Sequence, residues 1–208
     1  MRLVADEWMS LDGIVQGPSS PTEDPSGGFG HGGWHLPYFE PVSQAWVIDG
    51  LEAATAFLFG RRTYETFAAH WPTVGAAEQA LARPLNSKPK YLASHTLTTP
   101  PGWAPTTLLD GDAVNSVSTL TDSGPGELHL IGSAALARRL IAADLVDELR
   151  LMIDPVLLGA GKGLFPTDGG LRGWELAECR PTATGALLTS YTRVPSAQDA
   201  AGLGEHGG

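Results

Sequence analysis

One strand–turn–helix segment in the first third of the chain constrains the fold more than any other feature. Residues 56–59 are all apolar, as expected for a strand that is covered on both faces. Gly60 allows the chain to turn, and Thr63 has the hydroxyl of a helix cap. Arg61 and Arg62 therefore stand where a buried strand ends and a helix begins.

The position of these two arginines fits two different roles. Ligands of open α/β sheets bind at the carboxyl ends of the strands. Free N–H groups at a helix start, the helix dipole and two guanidinium groups together favour a phosphate. An ordinary surface turn with solvated arginines fits the same residues, so this segment alone leaves both interpretations open.

The same pattern recurs at residues 130–134, where an apolar strand passes through Gly132 and Ser133 into a helix. Gly132 permits a close approach of the backbone, and Ser133 can cap the helix or donate to a phosphate oxygen. A Gly-Ser pair at a helix start is often structural. Two such turns in one sheet nevertheless predict one elongated phosphorylated ligand, such as a dinucleotide, and paired arginines favour the 2′-phosphate of NADPH.

Strand and helix patterns alternate along the whole chain. This alternation predicts an α/β fold with a mostly parallel sheet, helices on both faces and a closing antiparallel pair of strands. Pro84 is expected to end the helix at residues 76–83. The predicted strands are residues 3–9, 56–59, 90–94, 106–109, 128–131, 145–153, 174–179 and 187–194, and the predicted helices are residues 42–56, 76–83, 113–121 and 134–143, with one more starting at Thr63.

No repeat or linker divides the chain, so residues 1–194 are predicted to form a single domain. Residues 10–39 are a long connection rich in Gly, Pro, Ser and Asp, which is typical of a functional lid or a disordered segment. Residues 195–208 are predicted to be a disordered tail.

The overall charge restricts the partners that this chain can have. The 208 residues carry a net charge of −10, which argues against nucleic acid and anionic membranes as main partners. We expect neither a signal peptide nor a membrane span, since no stretch reaches roughly 18–20 apolar residues. The one cysteine, Cys179, excludes a disulfide within the chain and suits a cytoplasmic location.

Two motif-like groups do not meet the chemical requirements of the sites that they suggest. His31 and His35 have the spacing of zinc ligands on a helix, but Pro37 and the intervening glycines disfavour a helix there, so no metal site is predicted. Residues 159–163 read Gly-Ala-Gly-Lys-Gly, but no Ser or Thr follows Lys162 as a Walker A motif requires. We interpret this segment as a glycine-rich connection.

Six short motifs then occur in a recognisable order. They are Ser10-Leu11-Asp12-Gly13, Trp34-x-Leu36-Pro37, Gly60-Arg61-Arg62-Thr63-Tyr64-Glu65, Pro89-Lys90-Tyr91-Leu92-Ala93-Ser94, Gly132-Ser133-Ala134 and Leu145-Val146-Asp147-Glu148-Leu149. Together they resemble the dihydrofolate-reductase-like superfamily. More closely, they resemble stand-alone relatives of the reductase domain of the bifunctional riboflavin-biosynthesis deaminase/reductase, over residues 1–194.

This resemblance implies a dihydrofolate-reductase-like, three-layer α/β/α fold with a central mixed, mostly parallel sheet of about eight strands. It also implies NADPH lying across the strand ends, a loop at residues 10–17 that covers the nicotinamide, and a homodimer. The cofactor-binding residues that it implies are Gly60, Arg61, Arg62, Thr63, Ser94, His95, Gly132, Ser133, Ala134 and Leu136.

The implied substrate pocket departs from that of dihydrofolate reductases. Those enzymes carry an acidic residue after Trp-x-Leu-Pro-x, where this chain has Phe39. A pterin without its buried carboxylate partner is poorly discriminated, so Phe39 argues against folate, although a one-residue shift would let Glu40 substitute. Trp34 is interpreted either as a stacking wall for a flat ring or as a core residue.

Two carboxylates are candidate proton donors. Asp12 lies on the predicted mobile loop, and Glu7 lies near the end of the first strand. Each has a structural alternative, since Asp12-Gly13 is a natural turn pair and Glu7 can form a salt bridge.

Three functions therefore remain open from the sequence. The first is an NADPH-dependent reductase of a small cyclic or carbonyl metabolite, similar to the 5-amino-6-(5-phosphoribosylamino)uracil reductase of riboflavin biosynthesis. The second is a reductase of dihydrofolate type or of specialised metabolism. The third is an NADPH-binding protein without turnover.

Overall fold

The computed structural model describes residues 1–99 and 102–194. The predicted tail at residues 195–208 lies outside the described residues. In chain order, the elements are β1 (Arg2–Ser10), α1 (Pro41–Ala53), β2 (Ala56–Gly60), α2 (Arg61–His70), α3 (Gln79–Ser87), β3 (Lys90–Ala93), β4 (Thr106–Leu108), α4 (Ala113–Asp122), β5 (Glu127–Ile131), α5 (Ala134–Ala142), β6 (Glu148–Asp154), β7 (Trp174–Pro181) and β8 (Leu187–Arg193).

The strands form one eight-stranded sheet in the order β4-β3-β2-β5-β1-β6-β8-β7. The first six strands of this order pair in parallel, whereas β8 pairs antiparallel with both β6 and β7. The expectation of a mixed, mostly parallel sheet closed by an antiparallel pair is thus confirmed.

Helices cover both faces because successive side chains of a strand point to opposite sides of the sheet. On what we call the α5 face, α4 and α5 bury residues such as Val117 and Leu140 against Leu58 and Leu130. On the α1 face, helices α1, α2 and α3 pack on β2 and β3, and Trp46 of α1 packs on Met152. Each large side chain buried in this way contributes about 1.5–3 kcal/mol.

Three helices differ from the prediction. Helix α1 ends at Ala53, three residues earlier than predicted. Helix α2 begins at Arg61 with Gly60 in the capping position, so Thr63 lies inside the first turn and does not cap it. Helix α3 runs through Pro84 to Ser87. It continues past the proline because Leu85 packs in the core and the Lys90 ammonium binds the last carbonyls of the helix.

Strand β6 begins later than predicted. Asp144 adopts a left-handed conformation with φ of 54°, and residues 145–147 form the connection that leads from α5 to β6. The Leu145 amide bonds to the Leu140 carbonyl and so closes the helix end before the strand starts. The apolar residues Leu145 and Val146 thus belong to a packed connection, which hydrophobicity alone does not separate from a strand.

Candidate functional site

The two strand–turn–helix segments lie side by side at the carboxyl edge of the sheet, because β2 and β5 are neighbours. The Gly60 amide donates to the Ser133 hydroxyl oxygen at 2.8 Å. The hydroxyls of Thr63 and Ser133 are 2.9 Å apart. Residues 73 positions apart in the chain therefore form one continuous turn surface.

This surface is built so closely that it depends on glycine. A Cβ at Gly60 would lie 2.7 Å from the Ser133 hydroxyl oxygen, and Gly132 has a φ of +60°. Ser133 itself is left-handed with a φ of 66°, which is costly for a residue with a side chain. Strain of this kind is concentrated at functional sites.

Ser133 stands in the capping position of α5, but its hydroxyl points across to Gly60 and Thr63. The expectation that this hydroxyl can cap the helix is therefore wrong. Among the described residues, no side chain caps the first turn of either α2 or α5. The Leu136 amide bonds to the Ser133 carbonyl at 2.7 Å, and the N–H groups that precede it in α5, with those that open α2, are available to an anion.

Both arginines lie in the first turn of α2 and are exposed. Arg61 pairs with Glu65 at 3.3 Å, and Arg62 approaches Asp24 of the long loop at 4.0 Å. Exposed pairs of this kind are worth about 0–1 kcal/mol, so a phosphate can replace them at little cost.

The remaining predicted cofactor residues lie along the same edge. Ser94 and His95 follow β3, the neighbour of β2, and the Ser94 hydroxyl accepts bonds from the Thr96 and Leu97 amides. Ala134 opens α5, whereas the Leu136 side chain is buried in the core. Only the backbone of Leu136 lies at the edge of the helix start.

Glu7 is buried in the central strand, one residue beyond the last pairing of β1 with β5. Within residues 1–99 and 102–194, one of its carboxylate oxygens has no hydrogen-bond partner. Burial, followed by the negative charges of Asp6 and Glu23, raises the pKa of Glu7 well above its usual value. Glu7 therefore keeps its proton at a pH where an exposed glutamate loses it.

Asp12 has the opposite electrostatic environment. Its carboxylate accepts from the Ser10 hydroxyl at 2.6 Å and from the Gly159 amide at 2.7 Å. The hydrogen bond from Ser10 is the main cause that lowers the pKa of Asp12; burial opposes it, and the amides of Gly159 and Leu158 lower the pKa further. This geometry fastens the long loop to the glycine-rich connection.

The glycine-rich connection holds the loop at a second place. The Lys162 ammonium pairs with Asp24 and donates to the Ser26 hydroxyl at 2.8 Å. Gly161 is needed there, because its Cβ would lie 2.7 Å from the Ile14 side chain. Residues 159–163 are therefore a fastening for the loop, consistent with their interpretation as a connection.

A cluster of rings lies where the loop meets the α1 face. His35 stacks on Trp8 with ring centres 4.2 Å apart, and Phe39 lies 6.0 Å from Trp8. His35 also bonds Asp154 at 2.7 Å, and burial raises the pKa of Asp154 although His35 opposes it. Trp34 is buried and donates to the Gln16 carbonyl, so its ring belongs to the core.

The two positions raised by the folate comparison are placed differently. Phe39 is half-buried beside Trp8, whereas Glu40 accepts a hydrogen bond from the Ala183 amide at 2.9 Å. Asp6, which was not predicted from the sequence, lies on the same face of β1 as Trp8, and its carboxylate side chain is 22% exposed. An acid inside the apolar run of the first strand was the signal that could have identified it.

Comparison with known proteins places the chain in a family. The sequence profile of the RibD C-terminal domain matches residues 2–188. The chain belongs to the RibD C-terminal domain family. A relative of this RibD-type chain in Bacillus subtilis, the uncharacterized protein YyaP, is 28% identical over 170 residues, which cover 79% of this chain and 80% of the relative.

Solved structures show that this RibD-type chain has the dihydrofolate-reductase-like fold. A putative riboflavin biosynthesis protein from Shewanella aligns with a TM-score of 0.64 at 22% identity, covering 94% of this chain and 100% of that one. A dihydrofolate reductase from Enterococcus faecalis, complexed with NADP(H) and RAB-propyl, aligns with a TM-score of 0.61 at 15% identity, covering 93% and 97%.

A pyrimidine reductase-like protein from Corynebacterium diphtheriae aligns as well, with a TM-score of 0.60 at 12% identity over 94% of this chain and 92% of that one.

None of the helices that the structure describes is long and apolar enough to cross a membrane. The described residues also contain no group of three or more His, Cys, Asp or Glu side chains placed to hold a metal ion.

Proposed function

We propose that this protein is an NADPH-dependent reductase of a small cyclic or carbonyl metabolite. Membership of the RibD C-terminal domain family and the dihydrofolate-reductase-like fold support a reductase. The observation that carries the cofactor assignment is the joined turn surface, where two uncapped helix starts and two exposed arginines meet at one edge of the sheet.

The residues of this edge fit a dinucleotide with an additional phosphate. The amides that open α2 and α5 suit the pyrophosphate, because glycines at 60 and 132 let the backbone approach it. The hydroxyls of Thr63 and Ser133 share one hydrogen bond and leave one O–H to donate to a phosphate, and Arg61 and Arg62 suit the 2′-phosphate. Ser94 and His95 lie one strand further along, where the adenosine end would bind.

The protein supplies position and a proton, and NADPH supplies the hydride from its nicotinamide ring. The rate gain comes from holding two reacting groups in contact. Glu7 is our candidate for the accompanying proton, because burial raises its pKa well above the usual value. Its side chain faces the α5 side of the sheet, opposite to Asp6, and the pairing of β1 with β5 ends one residue before it. Asp12 stays ionised and holds the loop in place, so we assign it a positioning role in this reductase.

The proposed substrate resembles 5-amino-6-(5-phosphoribosylamino)uracil, the reducible intermediate of riboflavin biosynthesis. The likeness to the putative riboflavin biosynthesis protein from Shewanella and to the pyrimidine reductase-like protein from Corynebacterium supports this choice. Phe39 beside Trp8, with Glu40 engaged by Ala183, makes dihydrofolate a poorer candidate. We further propose that the protein acts in the cytoplasm as a homodimer.

The test is turnover with this substrate. Purified protein is mixed with NADPH and the uracil intermediate, and oxidation of NADPH is followed by absorbance. Consumption that requires both the protein and the intermediate is expected, and Glu7→Gln should lower kcat more than it changes KM. Tight NADPH binding without turnover of this intermediate or of a panel of cyclic imines and carbonyls would contradict the reductase and favour a binding protein.

A further inference from the structure

The carboxylate of Asp6 is accessible although its strand lies in the middle of the sheet. β1 has parallel neighbours on both sides, and such strands are normally covered on both faces. The Asp6 side chain is nevertheless 22% exposed to solvent. Trp8, two residues further along the same face of the strand, is only half-buried. The helix layer therefore leaves a cleft over the second half of β1, which we call the β1 cleft.

Apolar side chains form the walls of the β1 cleft. Ile131, which pairs with Asp6 across the sheet, and Val47 of α1 are both half-buried. The Phe39 ring lies against Trp8. The Gly132 amide bonds to the Asp6 carbonyl at 3.3 Å, so the cleft adjoins the turn surface that we assign to the cofactor.

Two basic side chains contact Asp6 from the neighbouring strands. His129 of β5 lies with Nδ1 2.7 Å from Oδ2 of Asp6, and its Nε2 lies 3.2 Å from Glu127. Burial lowers the pKa of His129, but the charge of Asp6 and the hydrogen bonds to Asp6 and Glu127 outweigh it and raise that pKa above its usual value. Arg150 of β6 places Nε 3.5 Å from Oδ1 of Asp6.

Arg150 is itself locked in position by α1. Its guanidinium lies over the Trp46 ring at 4.4 Å and donates to the Trp46 carbonyl at 2.9 Å. Gly50 makes the room for it, because a Cβ there would lie 3.0 Å from the guanidinium carbon. The Asp6 carboxylate is thus held in one orientation by His129 and Arg150 on the two neighbouring strands.

One oxygen of this oriented carboxylate remains available. Oδ2 takes the bond from His129, whereas Oδ1 accepts no hydrogen bond from any residue that the structure describes. A carboxylate is only an acceptor, so an oxygen left open in an apolar cleft favours a donor and disfavours a lone pair or a negative charge.

We propose that Asp6 selects the substrate in the β1 cleft by accepting a hydrogen bond from an N–H group on the edge of a flat ligand. The chemical class is a planar amide, imide or amidine edge, and Trp8 and Phe39 provide the wall for its ring. This inference rests on the proposed function for the statement that the occupant of the cleft is the substrate.

The test uses three probes of one shape, namely benzamide, benzamidinium and benzoate. Each is titrated into 15N-labelled protein, and the indole N–H resonance of Trp8, assigned with Trp8→Phe, reports binding at the cleft. Benzamide and benzamidinium should bind at least about tenfold more tightly than benzoate, as expected for a hydrogen bond to a charged acceptor. Equal affinities for all three probes, or no shift of Trp8, would overturn the proposal.

Asp6→Asn sharpens the test because the amide keeps an oxygen for His129 and offers N–H groups to the cleft. The preference for the two donor probes over benzoate should fall below about threefold. If this variant does not fold, Asp6→Ser removes the carboxylate with a smaller side chain. Glu178→Gln removes the same charge from edge strand β7, where Glu178 pairs with Arg180, and should leave the preference unchanged.

The probes need no cofactor, which separates this inference from the proposed function. A donor preference that is lost in Asp6→Asn supports the assignment of Asp6 even if NADPH does not bind. NADPH binding together with an unchanged preference in Asp6→Asn overturns the role of Asp6 and leaves the cofactor assignment intact.

Discussion

The cofactor edge and the β1 cleft are built in different ways. The edge consists of residues 60–63 and 132–136, two short segments in which backbone amides, hydroxyls and glycines do most of the work. The cleft depends on side chains from three strands, Asp6, His129 and Arg150. We therefore expect the cofactor edge to lose binding when a glycine gains a Cβ, and the β1 cleft to lose selectivity when one charged side chain is replaced.

The largest effect is expected from removing both arginines at the cofactor edge. Arg61→Ala with Arg62→Ala should weaken NADPH binding about 100-fold and NADH binding less than about threefold, because only NADPH carries the 2′-phosphate and charged hydrogen bonds contribute about 1.5–3 kcal/mol each. Fluorescence titration measures both affinities. Arg138→Ala with Arg139→Ala removes the same charge from α5 as a control, and equal weakening of both cofactors by the first pair would refute the 2′-phosphate assignment.

The next effect tests the dependence of the edge on glycine. In Gly60→Ala, the new Cβ meets the Ser133 hydroxyl oxygen at 2.7 Å, so we expect a loss of stability of about 1–3 kcal/mol together with weaker NADPH binding. Gly75→Ala is the matched control, since no described atom lies within 4 Å of its Cβ position. Urea denaturation compares the two variants, and equal stabilities would show that the turns are not tightly joined.

A smaller effect is expected in the pH dependence of stability, which reports on Glu7. The pKa of Glu7 is raised on folding, so its protonated form contributes stability at low pH that is lost as the pH rises above the usual glutamate value of 4.5. Glu7→Gln should therefore gain stability relative to the wild type as the pH rises from 4.5 to 8. Thermal unfolding across this range measures the difference, and a constant difference would mean that the pKa of Glu7 is not raised.

The smallest effect is expected at the loop fastening. Asp12→Asn weakens exposed bonds to the Leu158 and Gly159 amides, so a cost of about 1 kcal/mol or less is expected. Those two amides should exchange with deuterium faster, while amides in β5 keep their protection. Unchanged exchange at residues 158 and 159 would show that Asp12 does not hold the loop.

The cofactor edge could be read from the sequence because its signals are local. The apolar strand at residues 56–59, Gly60 and the two arginines are adjacent in the chain, and the same holds for residues 130–134. Parallel pairing then brings both turns to one edge, as the alternation of strands and helices predicts. Family membership and fold were predicted and are confirmed, whereas the individual cofactor contacts stay predictions.

The β1 cleft could not be read in this way because it depends on register. Asp6 meets His129 and Arg150 only because β1 lies between β5 and β6, and no spacing in the sequence states that order. The capping roles predicted for Thr63 and Ser133 were wrong for a related reason. Their hydroxyls bond to each other across the sheet edge, and this tertiary contact overrides the local preference for capping.

The measurement that tests the central claim most directly is a titration of the unmodified protein with NADPH and with NADH at one ionic strength, followed by the fluorescence of its six tryptophans. We predict saturable binding of both, with NADPH at least about tenfold tighter because Arg61 and Arg62 meet its additional phosphate. Saturation by neither nucleotide, or equal affinity for the two, would contradict the assignment of the joined turns to NADPH.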